Sequence, residues 1–325
     1  MTQYFQTPVV YAAKHREDSE RLRSQSGGMF AVLSDSILDR GGVVYGCVFN
    51  DRFEAVHART ETREGRDRMR GSKYVQSSPG TVYLDAAKDL EDGRTVLFSG
   101  TSCQIAGLLA FLQYRNTPED RMDRLYTVDI VCHGVPSPLV WRDYLAWEAG
   151  RKKKAVRDVI CRNKKKFGWK THVTTLTFAD GKTLDSRVFP RLFYGHRILR
   201  PSCYQCPYKK TIHPADITIA DYWGIEKALP EFWDNKGVSL VLINTARGEK
   251  LFETCADRAV CRKTRVEDSL QKPLIAPFDP PADRKQFWQT YRSADFTRIA
   301  KKYANYNPIN TMKWKLQLFL KRGRL

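Results

Sequence analysis

Four of the eight cysteines in this 325-residue chain stand where a thiol could reach a bound group. Cys103 closes a turn of small residues, SGTS at 99–102, which follows the apolar run TVLF. Cys132 ends the apolar run LYTVDIV and opens the turn CHGVPSP, whereas Cys203 and Cys206 form the pair CYQC before a proline. Because open α/β sheets build their sites in loops beyond the carboxyl ends of strands, these four sulfurs are expected to converge.

Tetrahedral zinc and a [4Fe-4S] cluster are the main groups that four thiolates bind. A structural zinc site usually takes two CxxC pairs, or one pair with a paired histidine motif. This chain has one pair, and His213 follows it at a spacing that is unusual for zinc. The CxxCP ending is similar to the last part of iron–sulfur runs, and the small residues around Cys103 leave room for a bulky inorganic core. The spacing favours iron–sulfur, with zinc and no metal as open alternatives.

The other four cysteines have different surroundings. Cys47, Cys255 and Cys261 lie in strand-like or helix-like segments, where a free cysteine behaves as a small hydrophobe, so they are predicted to pack in the core. Cys161 lies in VICRNKKK, whose cations would depress the pKa of its thiol and make it reactive. A structural role at a strand end is the alternative for Cys161.

Two short segments are suited to phosphate, although neither a G-x-G-x-x-G nor a Walker pattern is present. SQSGG at 24–28 opens an apolar helix, so hydroxyls, free N–H groups and the helix dipole would face one anion. GSKYVQSS at 71–78 offers a lysine and three serines. The alternatives are a simple helix cap and a solvated loop.

Three polar or aromatic residues near these segments have ordinary interpretations. Asp221 and Trp223 end the strand-like segment DITIADYWG, where they could be a turn acid and a core residue. His133 follows Cys132, and turn hydrogen bonding is favoured for it over proton transfer.

The elements that must position these residues alternate between strands and helices. Apolar, β-branched runs predict strands near residues 9–11, 43–45, 53–59, 95–98, 125–131, 172–178, 216–221 and 239–245. Helices are predicted over about 26–41, 81–90 and 246–256. This order predicts an α/β fold, a mixed sheet with flanking helices and a cofactor site at loops beyond strand ends. Residues 1–270 are predicted to form this domain, and 271–325 a proline-punctuated linker with a basic helical tail.

Composition places the chain among globular proteins with anionic partners. It is 42% hydrophobic, no run approaches the ~18 apolar residues of a membrane span, and its start lacks the apolar core of a signal peptide, so a cytoplasmic location is expected. The formal net charge is +19, and Arg151 to Lys170 holds ten basic residues against one acid. Such a field attracts phosphates, acidic proteins, membrane surfaces or nucleic acids without choosing among them.

The basic tail has an apolar helical face, formed by Met312, Leu316, Phe319 and Leu320. A helix docked on the body of the protein is the favoured interpretation. Peripheral contact with an anionic membrane surface is the alternative.

As a series, these segments resemble the coenzyme F420 hydrogenase/dehydrogenase β subunit family. The matching segments are SQSGGMF, GGVVYG, GSKYVQS, FSGTSCQIAGL, VDIVCHGVPSP, CRNKKKFGW, CYQCPYKK, DITIADYWG and GVSLVLINTARG. The resemblance implies an iron–sulfur flavoprotein with FAD beside a [4Fe-4S] cluster, and it implies that Cys103, Cys132, Cys203 and Cys206 are the cluster ligands. The residues that would line the FAD site are Ser24, Ser26, Gly27, Gly28, Ser72, Lys73, Tyr74, Ser77, Gly100 and Thr101. Cys161 is not assigned as a ligand.

The resemblance also sets expectations for electron partners. Many relatives begin with a ferredoxin-like domain that carries two further cysteine runs, whereas the first cysteine here is Cys47. Electrons are therefore expected to come from a separate, acidic ferredoxin-like carrier and to pass to a small two-electron acceptor, either an F420-type deazaflavin or another molecule.

Two other classes of function remain as alternatives. A zinc-stabilised nucleic-acid-binding protein is suggested by the charge and by KKKFGWK at 164–170. The basic residues are split, however, and no nucleic-acid module fits the strand order, so nucleic acid is not the expected partner. A non-catalytic electron relay or scaffold would keep the fold without the activity.

Overall fold

The computed structural model describes residues 4–322, and for Lys315 and residues 317–322 it describes the backbone alone. The side chains of Phe319 and Leu320, which contribute to the predicted apolar face of the tail, lie outside this description. The strands are β1 (Tyr4–His15), β2 (Val43–Phe49), β3 (Ala55–Thr60), β4 (Val96–Thr101), β5 (Leu125–Ile130), β6 (Val156–Ile160), β7 (Thr174–Phe178), β8 (Thr183–Ser186), β9 (Ile217–Asp221), β10 (Ser239–Thr245) and β11 (Ala259–Thr264).

Helices fill most of the connections between these strands. They are α1 (Asp18–Arg23), α2 (Met29–Leu38), α3 (Arg63–Met69), α4 (Val82–Glu91), α5 (Ser102–Tyr114), α6 (Glu119–Met122), α7 (Pro138–Lys152), α8 (Lys164–Phe167), α9 (Val188–Tyr194), α10 (Ile225–Ala228), α11 (Ala246–Glu253), α12 (Arg284–Ser293), α13 (Phe296–Ala304) and α14 (Pro308–Arg322). Short 3-10 turns include Pro201–Gln205, which carries most of the CYQC pair.

The main sheet of the described chain has eight strands in the order β11-β1-β10-β9-β5-β4-β2-β3. Its centre is parallel, because β9, β5, β4 and β2 all run the same way, and antiparallel pairs flank it on both sides. All seven residues of β10 are buried, as expected for a strand that is covered on both faces. The predicted α/β fold with a mixed sheet and flanking helices is confirmed.

Helices cover both faces of this sheet, since alternate residues of a strand point to opposite sides. Val44 and Leu97 belong to a buried cluster that also contains residues of α2 and α11. Their neighbours Val43 and Phe98 belong to a second cluster, with residues of α4 and α5. The sheet is therefore a rigid central layer from which the loops at its edge project.

A second sheet of three antiparallel strands, β6-β7-β8, stands apart from the main one. The predicted strand at 172–178 corresponds to β7 of this sheet. Its apolar, β-branched composition does not indicate which sheet it joins. This small sheet packs with α7, α9, α12 and α13 around Trp141, Phe189, Phe287 and Ile299. The prolines after residue 271 predict a linker followed by a tail. The structure shows in addition that two helices of this segment, α12 and α13, pack into a core.

In the last helix, α14, the side chains that the structure describes are mostly exposed. Ile309, Met312 and Leu316 are each more than half exposed, whereas Trp314 lies near Phe167 and under the guanidinium of Arg187. Within residues 4–322, no helix has both the length and the apolar content needed to cross a bilayer.

Candidate functional site

The candidate site lies at the edge of the main sheet where parallel strands end. The register places Thr101 of β4 opposite Ile130 of β5, and Ile130 opposite Ile219 of β9. The segments that follow these strands therefore emerge side by side. The helix α5 begins directly after β4 and carries Cys103 in its first turn, and the loops after β5 and β9 carry Cys132 and Trp223. This is the edge at which open α/β sheets place ligands.

Backbone pairing holds the CHGVPSP loop against the CYQC turn. Ser137 N donates to Ile198 O and Arg200 N donates to Val135 O, both at 2.9 Å. Val135 N lies 3.5 Å from the Sγ of Cys203. A Cβ on Gly134 would lie 2.9 Å from a methyl of Leu199 and 3.6 Å from the Cβ of Cys203, so only glycine fits at this close approach.

The four predicted thiols influence one another electrostatically. Burial raises the pKa of Cys132 to about 12, and the neighbouring Cys203 and Cys103 push it in the same direction. Burial also raises the pKa of Cys203, and the neighbouring Cys206 and Cys103 raise it further. No group of three or more His, Cys, Asp or Glu side chains in the described residues is close enough to hold a single metal ion. The thiols are neighbours without forming a single-ion site in this conformation.

A buried lysine lies among these cysteines. Lys209 is 6% exposed, and its Nζ donates to the carbonyl oxygen of Cys132. Burial lowers the pKa of Lys209, while Cys132, Cys206 and Cys203 act in the opposite direction. The chain thus directs a cation toward the place where thiolates would concentrate negative charge.

Beside the thiols lies a cavity of about 880 Å³, here called the central cavity. Cys103 and Cys132 line it, whereas Cys203 and Cys206 do not. Nine of the ten predicted flavin residues also line it: Ser24, Ser26, Gly28, Ser72, Lys73, Tyr74, Ser77, Gly100 and Thr101. Segments that are far apart in the sequence therefore share one wall.

Gly27, the tenth, lies behind the wall as a packing residue. A Cβ there would lie 2.1 Å from the carbonyl oxygen of Ala13 and 2.7 Å from Ser239 N. Gly27 N donates to Ser239 Oγ at 2.9 Å, and His15 N donates to Gly27 O at 2.7 Å. The SQSGG segment is thus fastened to β1 and β10, and Gly28 begins α2 with a φ of 89°.

Asp221, at the end of β9, connects this segment to the KKKFGWK segment. Ser26 Oγ donates to its carboxylate at 2.6 Å, and Arg162 Nη1 and Trp169 Nε1 donate to it as well. Although burial alone would raise the pKa of Asp221, Arg162 and these hydrogen bonds hold it below its usual range. The turn acid of the sequence is therefore the centre of a partly buried network in the wall of the central cavity.

The GSKYVQSS segment contributes differently from its predicted role. Lys73 Nζ donates to the carbonyls of Arg68 and Arg70, at 2.9 and 2.7 Å, and burial lowers its pKa to about 8. Lys73 therefore holds its own loop closed rather than presenting an uncommitted charge. The ring of Tyr74 stacks on Phe193 with centroids 5.0 Å apart, which gives the central cavity an aromatic wall.

The turn before Cys103 is fixed by Gln104. Its Oε1 accepts from Thr101 N at 3.0 Å, and its Nε2 donates to Ser77 Oγ at 2.9 Å. Thr101 Oγ1 in turn lies 3.1 Å from the Sγ of Cys103. Gln104 was not predicted from the sequence, although Thr-x-x-Gln before an apolar run is the signature of a capping box.

The remaining cysteines are mostly structural. Cys255 is buried and Cys47 and Cys261 are half-buried, in line with the packing role predicted for them. Of the two alternatives for Cys161, the structural role fits better, because burial raises the pKa of this thiol to about 11 in spite of nearby Lys73. Other cavity-lining residues missed from the sequence are His57, His172, Tyr194 and Phe278.

His57 should make the stability of the protein depend on pH. It is 8% exposed, and burial lowers its pKa to about 4 from 6.5. The unfolded chain then binds more protons between pH 6.5 and 4, so stability falls as pH drops through this window. Between pH 7 and pH 5 this residue should cost about 2 kcal/mol of unfolding free energy. We expect His57→Gln to remove this fall in unfolding free energy, as measured by urea unfolding at pH 7 and pH 5. Between pH 7 and pH 9, the change in unfolding free energy should be the same in the variant as in the wild type.

Comparison with known families identifies the family of the chain. The model of the carboxyl-terminal region of the "Coenzyme F420 hydrogenase/dehydrogenase, beta subunit" matches residues 93–269, more than half of the chain. This chain belongs to the coenzyme F420 hydrogenase/dehydrogenase β subunit family. The match includes Cys103, Cys132, Cys203, Cys206 and Asp221, whereas the SQSGG and GSKYVQSS segments precede it. Membership of this family makes the chain an oxidoreductase subunit of this type.

A solved structure shares the fold of this F420 hydrogenase/dehydrogenase β subunit family member. A chain of the F420-reducing [NiFe] hydrogenase complex from Methanosarcina barkeri, studied by xenon derivatisation, superposes with a TM-score of 0.56. The two are 18% identical, and the alignment covers 81% of this chain and 83% of that one. None of the curated proteins matches the sequence.

Proposed function

We propose that the chain is an iron–sulfur flavoprotein, which passes electrons between a ferredoxin-like one-electron carrier and a small two-electron acceptor. Cys103, Cys132, Cys203 and Cys206 would hold a [4Fe-4S] cluster, and FAD would lie in the central cavity. The observation that carries the proposal is the position of the four thiols, which gather beside a cavity lined by nine of the ten predicted flavin residues.

The residues present fit both groups. Thiolates are the usual ligands of iron–sulfur clusters. Backbone pairing holds the loop of Cys132 against the turn of Cys203 and Cys206, and Cys103 lies in the first turn of α5. Gln25 Oε1 and His57 Nδ1 are buried without a hydrogen-bond partner in the described residues, and both residues line the central cavity. Because buried polar atoms are normally satisfied, they are available to a polar ring system.

When bound, the cluster would exchange single electrons, and the flavin would accept them one at a time and pass them on in pairs, which is the chemistry that connects the two kinds of carrier. The side chains of the protein would hold the segments that bind these groups in place. Gln104 fixes the Thr101 turn against Ser77, and Asp221 fixes Ser26. Tyr74 and Phe193 would exclude water from one side of the cavity. Lys209 would balance part of the negative charge of the thiolates.

The electron donor that we propose is a separate acidic carrier. Arg200 and Lys210 are exposed on either side of the CYQC turn, so the surface next to these thiols is basic. Opposite charge steers and orients such encounters. The solved relative comes from a hydrogenase complex, which by analogy supports a partner protein for this chain. The acceptor would be an F420-type deazaflavin or another two-electron acceptor.

The proposal is tested by a visible spectrum of protein purified without oxygen, recorded before and after dithionite. Iron, zinc and flavin are assayed on the same sample. Flavin bands above a broad absorption that bleaches, with iron present, are the expected result. A colourless protein that contains zinc would contradict the proposal and favour the zinc-stabilised binding protein.

Replacing Lys209 by glutamine should lower the reduction potential of the cluster. The substitution removes a buried positive charge next to Cys132, so adding an electron becomes less favourable. A charge at this range should shift the midpoint by on the order of tens of millivolts. The matched control is Lys210→Gln, which removes an exposed lysine one residue away. Equal midpoints for both variants in a redox titration followed by absorbance would contradict the assigned role.

A further inference from the structure

A second cavity, here called the basic cavity, adjoins the central cavity. It has a volume of about 1070 Å³ and is lined by residues from the segments 22–25, 49–53, 67–73 and 156–166. Ser24, Gln25 and the run from Arg70 to Lys73 line both cavities. A ligand in the basic cavity could therefore extend past this shared wall into the central one.

The lining of the basic cavity is strongly positive. Nine basic and three acidic side chains contribute to it: Arg23, Arg68, Arg70, Lys73, Arg157, Arg162, Lys164, Lys165 and Lys166, against Asp51, Asp67 and Asp158. Several of the basic groups are committed to partners, as Arg23 is to Asp67 and Lys166 is to Asp185. Arg68, Arg157 and Lys165 are exposed and form no ion pair with any described residue.

Two further cations of this lining are buried with unused donors. The side chain of Arg162 is 2% exposed and that of Arg70 is 5% exposed. Arg162 Nε and Arg70 Nη1 have no hydrogen-bond partner among the described residues. Buried donors of this kind are rare in native proteins and mark places where a ligand, ion or water completes the site. Guanidinium groups in particular suit phosphate and carboxylate oxygens.

We propose that the basic cavity binds the phosphate- or carboxylate-bearing part of the small electron acceptor, while the reacting part of that molecule reaches the central cavity. Arg70 and Arg162 form the buried floor of this anion site, and Arg68, Arg157 and Lys165 form its open side. The inference rests on the proposed function for the role of the ligand. The binding of an anion in this cavity is testable without it.

The test measures binding of inorganic pyrophosphate to the purified, flavin-loaded protein by titration calorimetry at low salt. The variant is Arg157→Gln with Lys165→Gln, since both side chains are exposed and neither lines the central cavity. The control is Lys182→Gln, an exposed lysine beside the small sheet that lines neither cavity. We expect the double variant to weaken pyrophosphate binding roughly a hundredfold, because each of the two charge-assisted contacts contributes about one power of ten. The control should bind as the wild type does, and all three proteins should carry the same amount of flavin.

Each other outcome counts against a definite part of the inference. Equal affinity in the double variant and the wild type would overturn the anion site. Loss of flavin from the double variant would assign the cavity to the phosphates of the flavin itself, which also overturns the proposal. If the wild-type protein contains no flavin, the proposed function fails, while the three pyrophosphate affinities still decide whether the cavity is an anion site.

Discussion

Replacing Cys132 by serine is expected to reduce bound iron at least about tenfold and to remove the broad iron–sulfur part of the absorption that dithionite bleaches, while the flavin bands remain. A serine hydroxyl is a poor substitute for a thiolate, and even outer-shell substitutions weaken metal binding by about 10–100-fold. Cys132 is the most informative of the four because it lines the central cavity and is influenced by Cys203 and Cys103. The measurements are iron content and the anaerobic visible spectrum.

The matched control for this experiment is Cys261→Ser. Cys261 is a half-buried free cysteine of β11, on the far side of the main sheet in strand order. Its substitution should leave iron content unchanged. If Cys132→Ser retains the iron and the spectrum of the wild type, Cys132 is not a ligand and the proposed cluster site is wrong.

Replacing Asp221 by alanine is expected to cost about 3–5 kcal/mol of unfolding free energy, because breaking a buried ion pair from one side typically has an effect of this size. The side chain of Arg162 is 2% exposed, so its charge would lose its carboxylate partner without gaining water. Ser26 and Trp169 would lose an acceptor at the same time, so flavin content should fall as well. Chemical denaturation gives the free energy.

An exposed ion pair provides the comparison for Asp221. Glu226 pairs with Lys170 at 2.7 Å, and both side chains are more than a third exposed. Glu226→Ala should therefore cost less than about 1 kcal/mol. Asp221→Asn keeps a hydrogen-bonding oxygen but removes the charge. Its cost in unfolding free energy should therefore lie between the costs of Glu226→Ala and Asp221→Ala. A cost for Asp221→Ala no larger than for Glu226→Ala would show that the network does not stabilise the fold.

The parts of the fold that could be predicted from the sequence are those that local information encodes. Seven of the eight strands of the main sheet contain apolar, β-branched runs that predict them, whereas β11 was not predicted. The helices α2, α4 and α11 follow predicted helical segments, and Thr245 is the N-cap of α11 as predicted. The sequence could not show that β6, β7 and β8 form a second sheet, because the pairing of these strands is decided by tertiary contacts. Basic residues and prolines predict a linker and tail where α12 and α13 lie, although Phe287 and Ile299 are fully buried.

At the site, residue types were easier to predict than their conformations. Turn position and spacing drew attention to four cysteines, and the structure brings them beside one cavity. No local pattern encodes the contacts that fix Lys73 and Gly27. Lys73 donates to the carbonyls of Arg68 and Arg70, and Gly27 lies against β1 at a distance that leaves no room for a side chain. Buried Arg70 and Arg162 were also missed, because a buried cation is improbable unless its partners are known.

The position of β1 has a consequence for how the protein is made. This strand pairs with β10 on one side and with β11 on the other, and both are synthesised more than two hundred residues later. At roughly 5–20 residues per second, the nascent chain carries an unpaired strand for on the order of ten to fifty seconds. Both edges of that strand are templates for wrong pairing during this interval. We therefore expect the yield of soluble protein in a cell to depend on chaperones that shield the amino-terminal segment until translation has passed residue 264.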